Sequence, residues 1–128
     1  MAKKEIIISD KLPAPKGPYS PAVRGGGFIF VSGQVPADAA TGEILQGTIA
    51  EQTELILRNI ETILEAAGTN LARVVKTNVY LTDINNFAAM NKVYATFFAA
   101  EPPARTTIAA ANLPLGVGIE IDVVALEA

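Results

Sequence analysis

Arg105 lies in the run Pro103-Ala104-Arg105-Thr106-Thr107-Ile108, and Glu120 lies in Ile119-Glu120-Ile121, with Leu113-Pro114-Leu115-Gly116 between them. A guanidinium presents a planar fork of donors that can hold a carboxylate through two bonds. A carboxylate can exchange protons or orient a water molecule. Two short apolar runs joined by a Gly/Pro-containing connection read as neighbouring strands, which would bring cation and carboxylate to one end of a sheet. The same spacing also describes a solvated arginine and a water-facing strand glutamate, the commoner setting for charged side chains.

Composition narrows the chemistry further. The 128-residue chain contains no cysteine and no histidine. Disulfides, thiol nucleophiles, zinc sites built on Cys or His and imidazole proton transfer are therefore excluded. Carboxylates, Tyr, Ser/Thr, Lys, Arg, backbone groups or a borrowed cofactor remain. The net charge is −3, and of ten basic residues only Lys3 and Lys4 are adjacent. That pattern lacks the basic face that nucleic-acid binding uses. No apolar run has the length of a membrane span. The N-terminal Met-Ala-Lys-Lys-Glu precedes only three isoleucines, too few for a signal-peptide core. The expectation is a soluble cytoplasmic protein with one domain over residues 1–128.

The elements that must position Arg105 and Glu120 follow from patterning. Glu5 to Ser9 reads as a strand. Pro13, Pro15, Pro18 and Pro21 make residues 12–22 extended or turning, outside regular structure. Gly25-Gly26-Gly27 reads as a turn into the strand Phe28–Gly33, and Thr41-Gly42-Glu43 as a further turn. Thr48 and Glu51 have capping-box spacing, and Ile49, Ile56, Ile60, Ile63, Leu64 and Ala67 form one helical stripe that Gly68 closes. Val74 to Leu81 is a β-branched strand run. A second helix begins near Asn86, buries Phe87, Met90, Tyr94, Phe97 and Phe98, and stops before Pro102-Pro103. Asn91 falls on the same face, either as a core-edge group bonding backbone or as a binding group. Strands at 106–110 and 118–126 close the chain.

The order β-β-β-α-β-α-β-β, with the third strand weakly marked, implies an α+β domain with helices on one face of a mixed six-stranded sheet. Residues 6–8, 28–31 and 123–126 are apolar on both strand faces. Two helices cover only one face, so the other would be a large apolar patch on a monomer. A partner is expected there, most simply another copy of the chain.

Several motifs in order resemble the RidA/YjgF family of enamine/imine deaminases. They are Gly17-Pro18-Tyr19-Ser20-Pro21, Val31-Ser32-Gly33-Gln34-Val35-Pro36, Thr41-Gly42-Glu43, Asn59-Ile60, Ala66-Ala67-Gly68, Val75-Lys76-Thr77, Tyr80-Leu81-Thr82-Asp83, Pro103-Ala104-Arg105, Leu113-Pro114 and Ile119-Glu120-Ile121, with Phe87, Asn91, Tyr94 and Phe97-Phe98. The resemblance spans nearly the whole chain. It implies a chorismate-mutase-like α+β subunit in a homotrimer with a barrel-like core and ligand clefts between subunits. It also implies hydrolysis of 2-aminoacrylate/2-iminopropanoate and 2-iminobutanoate to 2-keto acids and ammonia, with no cofactor and no metal. Such intermediates escape from pyridoxal-phosphate dehydratases, and the protein itself would hold no pyridoxal phosphate.

Carried over residue by residue, Arg105 resembles the arginine that binds the substrate carboxylate. Glu120 resembles the glutamate that holds the attacking water or exchanges a proton. Tyr19 resembles a cleft tyrosine, Ser32-Gly33 a strand end whose backbone meets ligand, and Asn91 a cleft asparagine. Thr107 stands where many members have cysteine, so it would reshape the pocket floor and substrate preference without supplying a thiol. A 2-keto-acid sensor on the same trimer and an endoribonuclease or translation inhibitor are the rival readings. The acidic balance and lack of histidine weigh against the nucleic-acid one.

Overall fold

Strand β1 (Glu5–Ile7), β2 (Ala22–Gly25) and β3 (Phe28–Gln34) run as an antiparallel meander before helix α1 (Ile49–Ala66). Strand β4 (Val74–Leu81), helix α2 (Phe87–Phe97), β5 (Ala104–Ala109) and β6 (Ile119–Leu126) complete the chain. The computed structural model describes residues 3–12 and 14–128; Pro13 and the first two residues, on which part of the proline and N-terminal readings rest, lie outside them. One sheet has the order β1-β2-β3-β6-β4-β5, with β4 and β5 the parallel pair.

Both helices pack on one face. Thr48 caps α1 as its spacing predicts: its Oγ1 accepts from the Glu51 amide at 3.1 Å, and its own amide donates to Glu51 Oε1 at 2.9 Å. The helix ends at Ala67, and Gly68 follows with φ +82°, where a side chain would be strained. Ile56, Leu57, Ile60, Ile63 and Leu64 meet Ile29, Val79, Leu81, Ile119, Ile121 and Val123 from the sheet in one buried core. Each such fully buried aliphatic side chain contributes about 1.5–3 kcal/mol.

Two sequence expectations are corrected. The third strand does not follow Gln34; between there and α1 only an isolated Ala37–Ile44 bridge forms. It is β2, next to the proline segment, where four residues pair with β3 and three of them also pair with β1. Gly26 and Gly27, at φ +61° and +89°, make the tight hairpin turn that sets β2 against β3. The proline cluster masked so short a strand. Second, β5 and β6 are not neighbours. The connection carries the chain across β4, which lies between them.

Arg24 on β2 ties this arrangement together. It donates to Glu127 Oε1 at 3.0 Å and to the Ala67 carbonyl at 2.8 Å, and lies 3.5 Å from Glu5. Its charge therefore sits at the C-terminal end of α1, where the helix dipole favours a cation. No sequence periodicity announces this contact.

Candidate functional site

Strand register divides the candidate residues between the two faces of the sheet. Ile7, Ala22, Val31, Val123, Thr77 and Arg105 form one row across all six strands. Ile7, Ala22, Val31, Val123 and Thr77 are buried beneath the helices, which puts Arg105 on the helix-covered face at the edge strand. Glu120, Tyr80 and Ile108 form another row. Tyr80 and Ile108 lie an odd number of residues from Thr77 and Arg105, so this row points to the opposite, open face.

On the helix-covered side, Arg105 donates from Nη1 to Asn91 Oδ1 at 2.7 Å. Its guanidinium carbon lies 4.6 Å from the Tyr94 ring centre and 5.4 Å from that of Phe87. Three residues of one helix face thus hold one cation in place, which favours a fixed orientation of its remaining donors. Tyr94 is anchored in turn by a 2.7 Å hydrogen bond with Thr77. Burial raises the Tyr94 phenol, partly countered by the Thr77 bond and the Arg105 charge. Among the described residues no carboxylate lies within ion-pair reach of Arg105. Thr107, two residues on, has a buried Oγ1 with no hydrogen-bond partner. An orphaned hydroxyl costs about 1–3 kcal/mol, so a group that would accept or donate there has something to gain.

On the open side, Glu120 lies against Gly33, where an added Cβ would collide with its carboxylate. Position 33 must be glycine for the acid to rest there. A bulge creates this approach: Val31 pairs with Val123 but Gln34 with Ile121, so Ser32-Gly33 contribute one extra residue. Such bulges re-aim side chains. The Ser32 hydroxyl donates to the Ser20 carbonyl, and its amide to the Pro21 carbonyl at 3.0 Å, fastening the proline segment to β3. Tyr19, 55% exposed, lines one cavity together with Gly33. Burial, and next the negative charge of Asp122, raise the Glu120 carboxyl above its ordinary range. Asp122 is itself fixed by Asn78, whose Nδ2 donates to its Oδ1 at 2.8 Å.

The seven sequence-derived candidates therefore fall into two groups: Arg105, Asn91 and Thr107 in one, and Tyr19, Ser32, Gly33 and Glu120 in the other. The expectation that neighbouring strands would bring Arg105 and Glu120 together within one chain is corrected. Their strands are separated by β4 and their side chains leave opposite faces. Asp122, Asn78 and Tyr80 were missed; the alternation of Glu120-Ile121-Asp122 signalled only that the two acids share a face. Among the described residues no cluster of three or more potential metal ligands occurs. None of their helices is long and apolar enough to cross a membrane.

Residues 9–127 match the protein family described as Endoribonuclease L-PSP. The chain belongs to the YjgF/RidA family. A RutC family protein of Pyrococcus horikoshii is 49% identical over 122 residues, which are 95% of this chain and 97% of the relative. A chloroplastic Reactive Intermediate Deaminase A of Arabidopsis thaliana is 40% identical over 123 residues, 96% of this chain and 66% of that one. The crystal structure of the Escherichia coli YjgF gene product superposes with a TM-score of 0.90 at 38% identity, covering 97% of this chain and 99% of that one. The six-stranded sheet with two helices is the fold of the YjgF/RidA family, which includes a protein named a reactive intermediate deaminase.

Proposed function

We propose that the protein is a homotrimeric 2-iminopropanoate/2-iminobutanoate deaminase whose site joins half-sites from two protomers. The observation that carries this reading is the split itself. A rigidly held cation without an acidic partner and a half-buried acid with raised proton affinity leave opposite faces of one sheet. Neither half suffices for a small imino acid, and association of copies supplies the missing half. The open face supports association, because Ile6, Phe28, Phe30, Ile108 and Leu126 are large apolar side chains between 36% and 51% exposed.

In this reading Arg105 of one protomer receives the substrate carboxylate. Glu120 of the next takes a proton from water as the water oxygen bonds to C2, and the C=N electron pair passes to nitrogen. The nitrogen receives that proton to give the neutral carbinolamine; Glu120 then takes the carbinolamine hydroxyl proton and passes it to the same nitrogen, so that ammonia leaves as the C=O forms. A carboxyl raised by burial is better suited than an exposed one both to take and to return a proton. Tyr19 walls the cleft, the Gly33 backbone permits close approach, and Asn91 and Thr107 complete the cation side. The free imine already hydrolyses in water, so positioning and fixed charge are all that the protein must add.

The decisive experiment generates 2-aminoacrylate from serine with a pyridoxal-phosphate dehydratase and follows pyruvate appearance under conditions where imine decay is rate-limiting. Acceleration by the wild type that Arg105→Ala abolishes is expected. Wild-type protein that binds pyruvate yet leaves the rate unchanged would establish a sensor instead. The name of the matching family keeps RNA cleavage as a second reading. Cleavage of RNA by nuclease-free protein, lost in Arg105→Ala or Glu120→Ala, would favour it.

A further inference from the structure

The cavity that Tyr19 and Gly33 border has a volume of about 120 Å³ and reaches the helix-covered side of the sheet. Asn59 and Ile63 of α1 line it there, and Pro15 and Pro21 line it from the proline segment. Neither Arg105 nor Glu120 is part of its lining. Gly33 contributes backbone alone, because a Cβ at that position would run into the Glu120 carboxylate.

Most of the lining is apolar, and its side-chain amides are engaged. Asn59 Nδ2 donates to the Ala37 carbonyl at 2.7 Å, and Gln34 Nε2 donates to the Ser32 carbonyl at 3.1 Å. Lys16 is different. It is an exposed residue of the lining, and its Nζ lies against Gly42, where an added Cβ would meet it at 3.5 Å. Among the described residues it forms no ion pair. Asp38, at the start of the turn that Gly42 closes, is spent within that turn: its Oδ1 accepts from the Ala40 and Thr41 amides at 2.8 and 2.9 Å. Those bonds hold its carboxyl below the ordinary range. An ammonium with no acid of its own, beside a small apolar cavity, is complementary to a molecule with a carboxylate head and a short hydrocarbon tail. A dry apolar cavity of about 150 Å³ admits benzene, so this slightly smaller one holds a tail of about four carbons.

We propose that this cavity is a second small-molecule site, separate from the imine site, that takes short aliphatic monocarboxylates of the size of 3-methylbutanoate. The branched tail fills the space between the proline segment and α1, and the carboxylate pairs with Lys16. The inference is independent of the deaminase reading, since Arg105 and Glu120 take no part in it. A 2-keto or 2-imino acid is the poorer guest, because the lining amides that could meet its second polar group are already bonded.

The test titrates 3-methylbutanoate calorimetrically into wild type, Arg105→Ala, Lys16→Ala and Ala39→Leu, with acetate as a head without a tail and 3-methylbutanol as a tail without a charge. Val35→Phe fills the cavity from another position and replaces Ala39→Leu if that variant melts early. Wild type and Arg105→Ala are expected to bind 3-methylbutanoate alike. Acetate should bind at least tenfold more weakly, because each buried methylene is worth about fourfold. Lys16→Ala should weaken 3-methylbutanoate about fivefold, the upper end for an exposed ion pair, and leave 3-methylbutanol unchanged. The filled variant should lose both. No binding of 3-methylbutanoate by the wild type overturns the site. Binding that survives in both Lys16→Ala and the filled variant at wild-type strength overturns it as well, and loss in Arg105→Ala would then assign the ligand to the imine site. None of these outcomes depends on imine turnover.

Discussion

The two faces of the sheet are built to different rules. The helix-covered face is continuous and dry: Ile29, Val79, Leu81, Ile119 and Ile121 are each fully buried, and its buried threonine Thr77 bonds Tyr94. The open face mixes Ile6, Phe28, Phe30 and Ile108 with Asn78, Tyr80, Glu120 and Asp122. The first face is complete within one chain. The second has large apolar side chains without cover and, beside them, the Glu120 carboxylate with its raised proton affinity. In the proposed assembly a surface of that kind is half of an interface, whereas the first is already a finished core. The contrast teaches that Arg105 gains its rigidity from the finished side, while Glu120 stands on the side that the proposed assembly would complete.

The largest expected effect breaks or confirms that division. Arg105→Ala and Glu120→Ala are each expected to lose imine turnover, Arg105→Ala by about 2–5 kcal/mol as a truncated charge pair, roughly 30-fold to 5,000-fold in kcat/KM. The sharper measurement mixes them. Unfolding and refolding equal amounts of the two inactive variants together should restore activity. With random assembly about one quarter of inter-subunit sites receive an intact arginine and an intact glutamate. If both residues served one site within a single chain, no mixture would recover anything.

Next comes the stability contrast. Leu57→Ala on the finished side is expected to cost about 2–5 kcal/mol in denaturant unfolding at any protein concentration. Phe30→Ala, at a position 48% exposed in the single chain, is expected to leave the isolated fold intact but loosen association. Light scattering should report smaller particles, and the melting temperature should become concentration-dependent. Equal destabilisation by the two substitutions, with no change in particle size, would remove the argument for a covered second face.

Much of this was legible beforehand because it depends on local patterns. The α1 stripe, the Thr48–Glu51 box, the Gly68 stop and the Val74–Leu81 strand each follow from spacing that the backbone imposes. The excess of apolar residues on both strand faces revealed the unfinished side. The β2 strand was not legible, because four residues beside a proline cluster carry little periodicity. Nor was strand order: sequence neighbours usually pair, and the interposition of β4 between β5 and β6 is a tertiary choice. Resemblance named Arg105 and Glu120 as a pair of interest but could not show that they leave opposite faces. The approach of Gly33 to Glu120 depends on a one-residue bulge, which shifts register without leaving a mark in composition.

That bulge gives the third prediction. Gly33→Ala should displace the Glu120 carboxylate, because its Cβ would occupy the same space. A misplacement of about 1 Å can cost on the order of 10²-fold in rate. The loss should fall on kcat more than on KM, since the carboxylate anchor lies on the other half-site. A Gly33→Ala protein with unchanged kcat would separate Glu120 from the chemistry.

The smallest effect sharpens the electrostatics of the open face. Asp122 shares that face with Glu120, Tyr80 stands opposite Glu120 on β4, and Lys76 lies farther along the same strand, bonded to Thr106 at 2.7 Å. Burial is the main reason that the Glu120 carboxyl is raised, and the Asp122 charge adds to it. Asp122→Asn should therefore lower the Glu120 pKa without returning it to the solvent value, and the acid limb of the kcat/KM profile should move to lower pH. Asp122→Glu, which restores the charge, should move it back. The same sign governs stability. A carboxyl with a raised folded-state pKa favours the folded chain below the ordinary glutamate range, and that contribution is lost as pH rises through the folded value. Removing Asp122 should make stability less dependent on pH across that window. A limb that stays put in Asp122→Asn, with Asp122→Glu also unchanged, would mean that burial alone sets the proton affinity of Glu120 and that its neighbour on β6 serves only to hold Asn78.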